Sequence, residues 1–176
     1  MDTRAWPAKN RLRSVGAPRR RERHPQLDEE ALNFSPLGGG VYDNRAGMVS
    51  RAPDWFSQAE RDLGQAEDSR RAGRHEWACF AAHQAAEKAV KALHLHLGQE
   101  AWGHVVAKLL RELPASAGVA AALVEQGQVL DTFYIPPRYP NSHPEGAPFE
   151  HYGPLQSEEA LRFAGAIIEF VRRRLA

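Results

Sequence analysis

The stretch Gln84-Ala85-Ala86-Glu87-Lys88-Ala89-Val90-Lys91-Ala92-Leu93 decides how this chain is read, because it sets four polar or charged residues into an alanine-rich run. At about 100° per residue, Gln84, Glu87, Lys88 and Lys91 fall on one stripe, and Ala82, Ala86, Ala89, Leu93 and Leu97 on another. The spacing predicts a helix with a small-residue packing face and a separate polar ridge. The plainest account of the ridge is a solvated surface on which Glu87 and Lys91 form an i,i+4 pair worth ~0.2–0.5 kcal/mol. The small face, with Ala78, Ala82, Ala85, Ala86 and Ala89, lets another backbone come close and so suits a two-fold interface between copies.

Working outward, the same logic predicts an all-α chain. Asp54 after Pro53 is a candidate N-cap for a first helix carrying Trp55, Ala59, Leu63 and Ala66 on one side and ending near Gly73. The helix around Gln84 runs from about Arg74 to Leu97 and stops at Gly98, the residue type that accepts positive φ at least cost. His104 to Leu113 places Val105, Leu109 and Leu113 at i, i+4 and i+8 before Pro114, and a fourth helix spans about Ala117 to Phe133, with Val119, Leu123, Leu130 and Phe133 inward. Residues 134–156 form a long loop with six prolines. Such loops are uncommon in compact domains unless they carry function or are disordered. Ser157 then caps a last helix with Glu158 and Glu159 in its first turn and Arg172, Arg173 and Arg174 in its last, both matched to the helix dipole. No segment alternates with period two, so a bundle of about five helices over residues 53–176 is expected.

Residues 1–52 differ in kind. Four prolines, the run Arg19-Arg20-Arg21-Glu22-Arg23 and Gly38-Gly39-Gly40 interrupt any apolar period, so the segment reads as a disordered tail. Translation from Met48 would make the first 47 residues a start-site artefact, a hypothesis that mass spectrometry of the native N-terminus decides. Residues 1–50 carry nine Lys/Arg against six Asp/Glu, whereas the remainder carries fourteen against sixteen. That balance gives no support for a protein that coats nucleic acid nonspecifically, so any RNA or nucleotide contact has to come from a local cluster. No apolar run approaches the ~18 residues a membrane helix needs. The single cysteine, Cys79, cannot form an internal disulfide and fits a reducing, cytoplasmic setting.

Several constellations carry little chemistry. His94 and His96 lie about 200° apart on a helix, and His83 and Glu87 share a face with no third ligand in view, so neither a metal nor another cofactor is implied. Cys79 and His83 are four apart, a spacing that permits thiol activation, yet Trp77, Phe80 and the alanines around Cys79 make it a core residue. The triple glycine lacks the Lys-Ser/Thr of a phosphate-binding loop. Arg138 is different. It sits among Tyr134, Tyr139 and Tyr152, where stacking and phosphate contacts are both available, with loop packing as the structural counterpart and Asp131 as a candidate anchor.

Taken together, Ala59-Glu60-Arg61-Asp62-Leu63, Trp77-Ala78-Cys79-Phe80-Ala81-Ala82-His83, the Gln84–Leu93 string and Asp131-Thr132-Phe133-Tyr134-Ile135-Pro136-Pro137-Arg138-Tyr139-Pro140-Asn141 resemble, in order and spacing, the HEPN domain family of higher-eukaryote and prokaryote nucleotide-binding proteins. The resemblance spans about residues 54–175. It implies a homodimeric nucleotide- or RNA-interacting subunit that works beside a small nucleotidyltransferase, with Arg138, Tyr134, Tyr139, Lys88 and Lys91 as phosphate or nucleotide contacts. Arg138 and His143 also resemble the Arg-x(4–6)-His pair of the family's metal-independent ribonucleases, in which Arg holds the phosphate and His moves a proton. Tyr139 directly after Arg138, and Pro140, which breaks any helix through the pair, depart from that pattern. The third alternative is a helical scaffold that binds neither. Because the tail has no periodic apolar pattern, removal of residues 1–47 should leave the melting temperature nearly unchanged by calorimetry. A large loss of stability would show that the tail packs on the bundle.

Overall fold

The structure, a computed structural model, describes residues 50–176. The expectations for the tail, the arginine run, the triple glycine and Met48 lie outside the described residues. Five helices follow in order: α1 Ala52–Arg71, α2 His75–His96, α3 Val106–Glu112, α4 Ala121–Asp131 and α5 Pro154–Leu175. The described residues contain no strand. Among them no helix is long and apolar enough to cross a membrane.

Helix α2 is the centre of the fold and touches each of the other four helices. Alanine makes this possible. Ala78, Ala82, Ala85, Ala86, Ala89 and Ala92 are wholly buried, and their small side chains leave room for α1 on one side and α5 on another. The small-residue face is therefore used inside the chain, and any association between copies must use another surface. Three residues join α1 to α2, which forces the two helices into an antiparallel hairpin. Gly73 at φ +71° and Gly98 at φ +70° end the two helices as expected.

The polar ridge is not the solvated face its composition suggests. Glu87 is only 4% exposed, because its carboxylate turns toward the loop that leads into α3 and finds partners there. Helix starts also differ from expectation. Asp54 lies inside the first turn of α1 and pairs with Arg51, while the Ser50 hydroxyl accepts the Ala52 amide at 3.2 Å. Helix α3 starts at Val106 because a distant side chain caps it: Asp131, at the end of α4, accepts the Val106 amide at 2.6 Å and the Ala107 amide at 3.2 Å. Val105 consequently stays outside the helix, 49% exposed, and Val106, Leu109 and Leu110 fill the core in its place. Helix α4 begins four residues later than expected, after a short turn at Ala115–Ala117. Helix α5 begins at Pro154, whose missing amide hydrogen costs nothing at a helix start, and Gln156 accepts the Gly153 amide at 3.0 Å. Ser157 is thus buried in the first turn, with its hydroxyl donating to the Pro154 carbonyl and bonded to His75 Nδ1 at 2.9 Å. Leu97, placed on the packing stripe by its spacing, is exposed beyond the end of α2.

Two tests follow from the packing. Glycine inside a helix ordinarily costs about 1 kcal/mol relative to alanine. At Gly127, however, a Cβ would lie 3.1 Å from the Cα and N of Ala107, so the glycine lets α3 and α4 approach. Gly127→Val should destabilise by ~1–3 kcal/mol in denaturant titrations, and an unchanged midpoint would contradict this packing. Burial pushes the Cys79 thiol up to about 12, with Glu76 adding to the shift. Burial likewise raises the Tyr152 hydroxyl to about 12, with Cys79 contributing. In the unfolded chain these groups ionise near their ordinary 9.0 and 10.0, so from about pH 9 upward the unfolded state loses protons that the native state keeps. Stability should be indifferent to both groups below pH 9 and fall as pH rises toward 12. The fall should be shallower in Cys79→Ala; an identical alkaline slope in the two proteins would refute the assignment.

Candidate functional site

Phe80, His83, Gln84, Glu87 and Lys91 recur at three- and four-residue intervals along α2 and so share one face of it. Buried carboxylates are tolerated only when paired and hydrogen-bonded, and Glu87 is both. Lys91 Nζ donates to it at 2.9 Å, His104 Nδ1 reaches both carboxylate oxygens at 3.2 Å, and Gln84 Nε2 donates at 3.3 Å. His83 is fully buried: its Nε2 donates to the His104 carbonyl at 3.0 Å and its Nδ1 accepts from Gln84 at 3.2 Å. These bonds hold the segment between α2 and α3 against the central helix.

The turn after α4 closes on that platform. Tyr134 stacks on His104, with ring centroids 4.7 Å apart and planes within 16°, and lies 5.1 Å from the His83 ring. Pro136 and Pro140 each open a short turn, Pro136–Arg138 and Pro140–Ser142, with Tyr139 extended between them. A residue before proline is driven out of the helical region, so the break that Pro140 predicts is present.

Three aromatic rings surround Arg138. Its guanidinium carbon lies 4.6 Å from the centroid of Phe80, 4.9 Å from Tyr134 and 5.1 Å from Tyr139. Nε donates to the Tyr134 carbonyl at 2.9 Å, which fixes the plane of the group. The two Nη groups have no hydrogen-bond acceptor, and Arg138 no ion-pair partner, among the described residues. The suggested anchor, Asp131, is engaged instead at the start of α3 and lies 3.7 Å from His83 Nε2. A guanidinium set among three rings, with its Nη groups unpaired among the described residues, is suited to a phosphate or carboxylate ligand.

The remaining predicted residues fall in different places. His143 bonds through Nε2 to the Pro136 carbonyl at 3.0 Å and stacks on His151 at 4.1 Å, with planes within 4°. Among the described residues no hydrogen bond joins Arg138 to His143. Lys88 pairs with Asp62 of α1 and lines the cleft between α1 and α2. Lys91, 13% exposed, is committed to Glu87 and lies 5.7 Å over the Trp55 ring. Tyr134, Arg138 and Tyr139 are thus brought together, whereas Lys88, Lys91 and His143 are not part of that group. Sequence reasoning misses Phe80 and His104. Phe80 shares the helical spacing of Gln84, a detectable signal, whereas His104 belongs to a short loop whose only cue is the preceding Gly103.

His94, considered above with His96, is spent on structure: its Nε2 contacts the Leu109 carbonyl at 2.9 Å and its Nδ1 the Gln99 side chain at 3.0 Å.

Comparison with known proteins agrees with this architecture. The HEPN domain model matches residues 52–174. The crystal structure of TT1696 from Thermus thermophilus is 49% identical, covering 72% of this chain and 99% of that one with a TM-score of 0.70. ST0689, described as an archaeal HEPN homologue, is 38% identical over 73% of this chain and all of its own, with a TM-score of 0.61. A HEPN domain protein, tm0613 from Thermotoga maritima, is 32% identical over 69% and 97% of the two chains, with a TM-score of 0.57. No curated protein sequence matches significantly. With a family model spanning the whole bundle and these structural relatives beside it, the chain belongs to the HEPN domain family.

Proposed function

We propose that this HEPN protein is a phosphate-recognising subunit that binds a nucleotide or RNA through Arg138. The observation that carries the proposal is the guanidinium flanked by Phe80, Tyr134 and Tyr139, with Nε tied to the Tyr134 carbonyl and its Nη groups unpaired among the described residues. Desolvation by the rings strengthens any charge-assisted bond the fork makes, and the fixed plane reduces the entropy lost on binding. Resemblance to its family supports a role as one half of a pair, self-associated as a homodimer and working beside a nucleotidyltransferase-type protein. The homodimer would use a surface other than the buried alanine face of α2.

A metal-independent ribonuclease using Arg138 and His143 is the second reading. Its support is the four-residue spacing and the His143 Nδ1, which makes no hydrogen bond among the described residues. Against it, the other ring nitrogen is held by a backbone carbonyl and the ring is stacked on His151, so His143 is fixed as a loop fastener. Binding without cleavage is favoured.

Arg138→Ala should weaken binding of a short single-stranded RNA or a nucleoside triphosphate by roughly 1–3 kcal/mol in calorimetric titrations, and His143→Ala should leave it nearly intact. Cleavage of defined RNAs in the presence of EDTA, abolished by His143→Ala while binding persists, would replace this reading with the nuclease. A folded Arg138→Ala protein that binds as the wild type does would leave the loop with a structural role only.

A further inference from the structure

A cleft of about 500 Å³ runs between α1 and α2, and Asp62, Arg74, Trp77, Phe80, Gln84 and Lys88 are the lining residues that matter here. Trp77, which lines this cleft, is 48% exposed. It is nonetheless held in place by an edge-to-face contact with Phe80, 6.0 Å between centroids and 73° between planes. An ordered, half-open indole is a platform on which a flat ring can stack.

Charge and hydrogen bonding narrow the occupant. Lys88 is matched by Asp62, but the Arg74 side chain has no ion-pair or hydrogen-bond partner among the described residues, so the cleft keeps an unbalanced positive charge. Gln84 Nε2 is spent on His83 and Glu87, which fixes the amide and leaves its Oε1 as an acceptor with no partner among the described residues. The cleft borders the Arg138 group at Phe80, which lines the cleft and also has the guanidinium 4.6 Å from its ring centroid. An aromatic floor, a fixed acceptor and cations at the margin match a base attached to a phosphate.

We infer that the α1–α2 cleft is the base-binding half of a nucleotide site whose phosphate half is Arg138. The ligand class is a nucleoside phosphate, free or at the end of an RNA strand. The base stacks on Trp77 and its amino group donates to Gln84 Oε1. This rests on the reading of Arg138 as a phosphate contact.

The test uses the full chain and three probes: inorganic pyrophosphate, ATP and a short oligoadenylate RNA, each titrated into wild type, Trp77→Ala, Trp77→Phe and Arg138→Ala. Trp77→Ala should lose about tenfold or more in affinity for the base-bearing probes while pyrophosphate affinity is unchanged, and Trp77→Phe should keep most of the binding. Arg138→Ala should weaken all three. Loss confined to the RNA supports the site with a strand as its source; loss for ATP as well supports the free nucleotide. Unchanged ATP and RNA affinity in Trp77→Ala overturns the cleft assignment, even where Arg138→Ala still weakens pyrophosphate. An unaffected Arg138→Ala protein sinks the phosphate reading instead. Equal loss of all probes in Trp77→Ala, accompanied by a change in sedimentation, overturns the inference in favour of an interface between copies, and so does a wild type that binds neither ATP nor RNA.

Discussion

The thinness of helix α2 is the constraint from which the rest of the structure follows. Six alanines without exposed surface allow α1 and α5 to close on it, so the domain gains its burial from close approach of backbones more than from large side chains. Alanine also has the highest helix propensity, so the residue that permits the packing favours the helix that is packed. A helix enclosed on that many sides has few directions left for polar groups. Glu87 and His83 are carried into the interior with it, and the surroundings must then satisfy them.

That requirement organises the functional end of the bundle. Glu87 holds His104, and His83 holds the His104 backbone, which fastens the segment between α2 and α3. Asp131 caps α3 from the end of α4 and so ties down the chain just before Tyr134. Tyr134 stacks on His104 and accepts from Arg138 Nε, and the guanidinium comes to rest between three rings. Arg138 is therefore positioned by a relay of contacts that begins with a buried carboxylate on α2. Its proline-rich loop is held by packing as well, with Pro137 buried and His143 bonded back to Pro136.

Much of this is legible in the sequence. The existence of α1, α2 and α5, the buried alanine stripe of α2, the glycines that end the first two helices and the break at Pro140 depend on local physics and read correctly. Sequence and structure part where one signal overrides another, whether it comes from a neighbouring residue or a distant one. Ser157 looks like an N-cap, yet the helix begins three residues earlier because proline at its start and Gln156 already serve that end. The start of α3 differs because Asp131, 25 residues away, supplies its cap. Glu87 and Lys91 are recognisable as a pair, but their burial depends on a loop whose position no helical period encodes. Arg138 stands out with Tyr134 and Tyr139 because they are close in sequence; Phe80 and His104 join them only through the fold.

Whether the Arg138 fork is held open for a phosphate is tested most directly by arginine side-chain nitrogen NMR of the full chain. On titration with inorganic pyrophosphate the Arg138 Nη resonances should move in a saturable way, while Nε, bonded to the Tyr134 carbonyl, stays near its starting position. Saturable shifts at other arginines with Arg138 unmoved, or no shift at any arginine, would contradict the account.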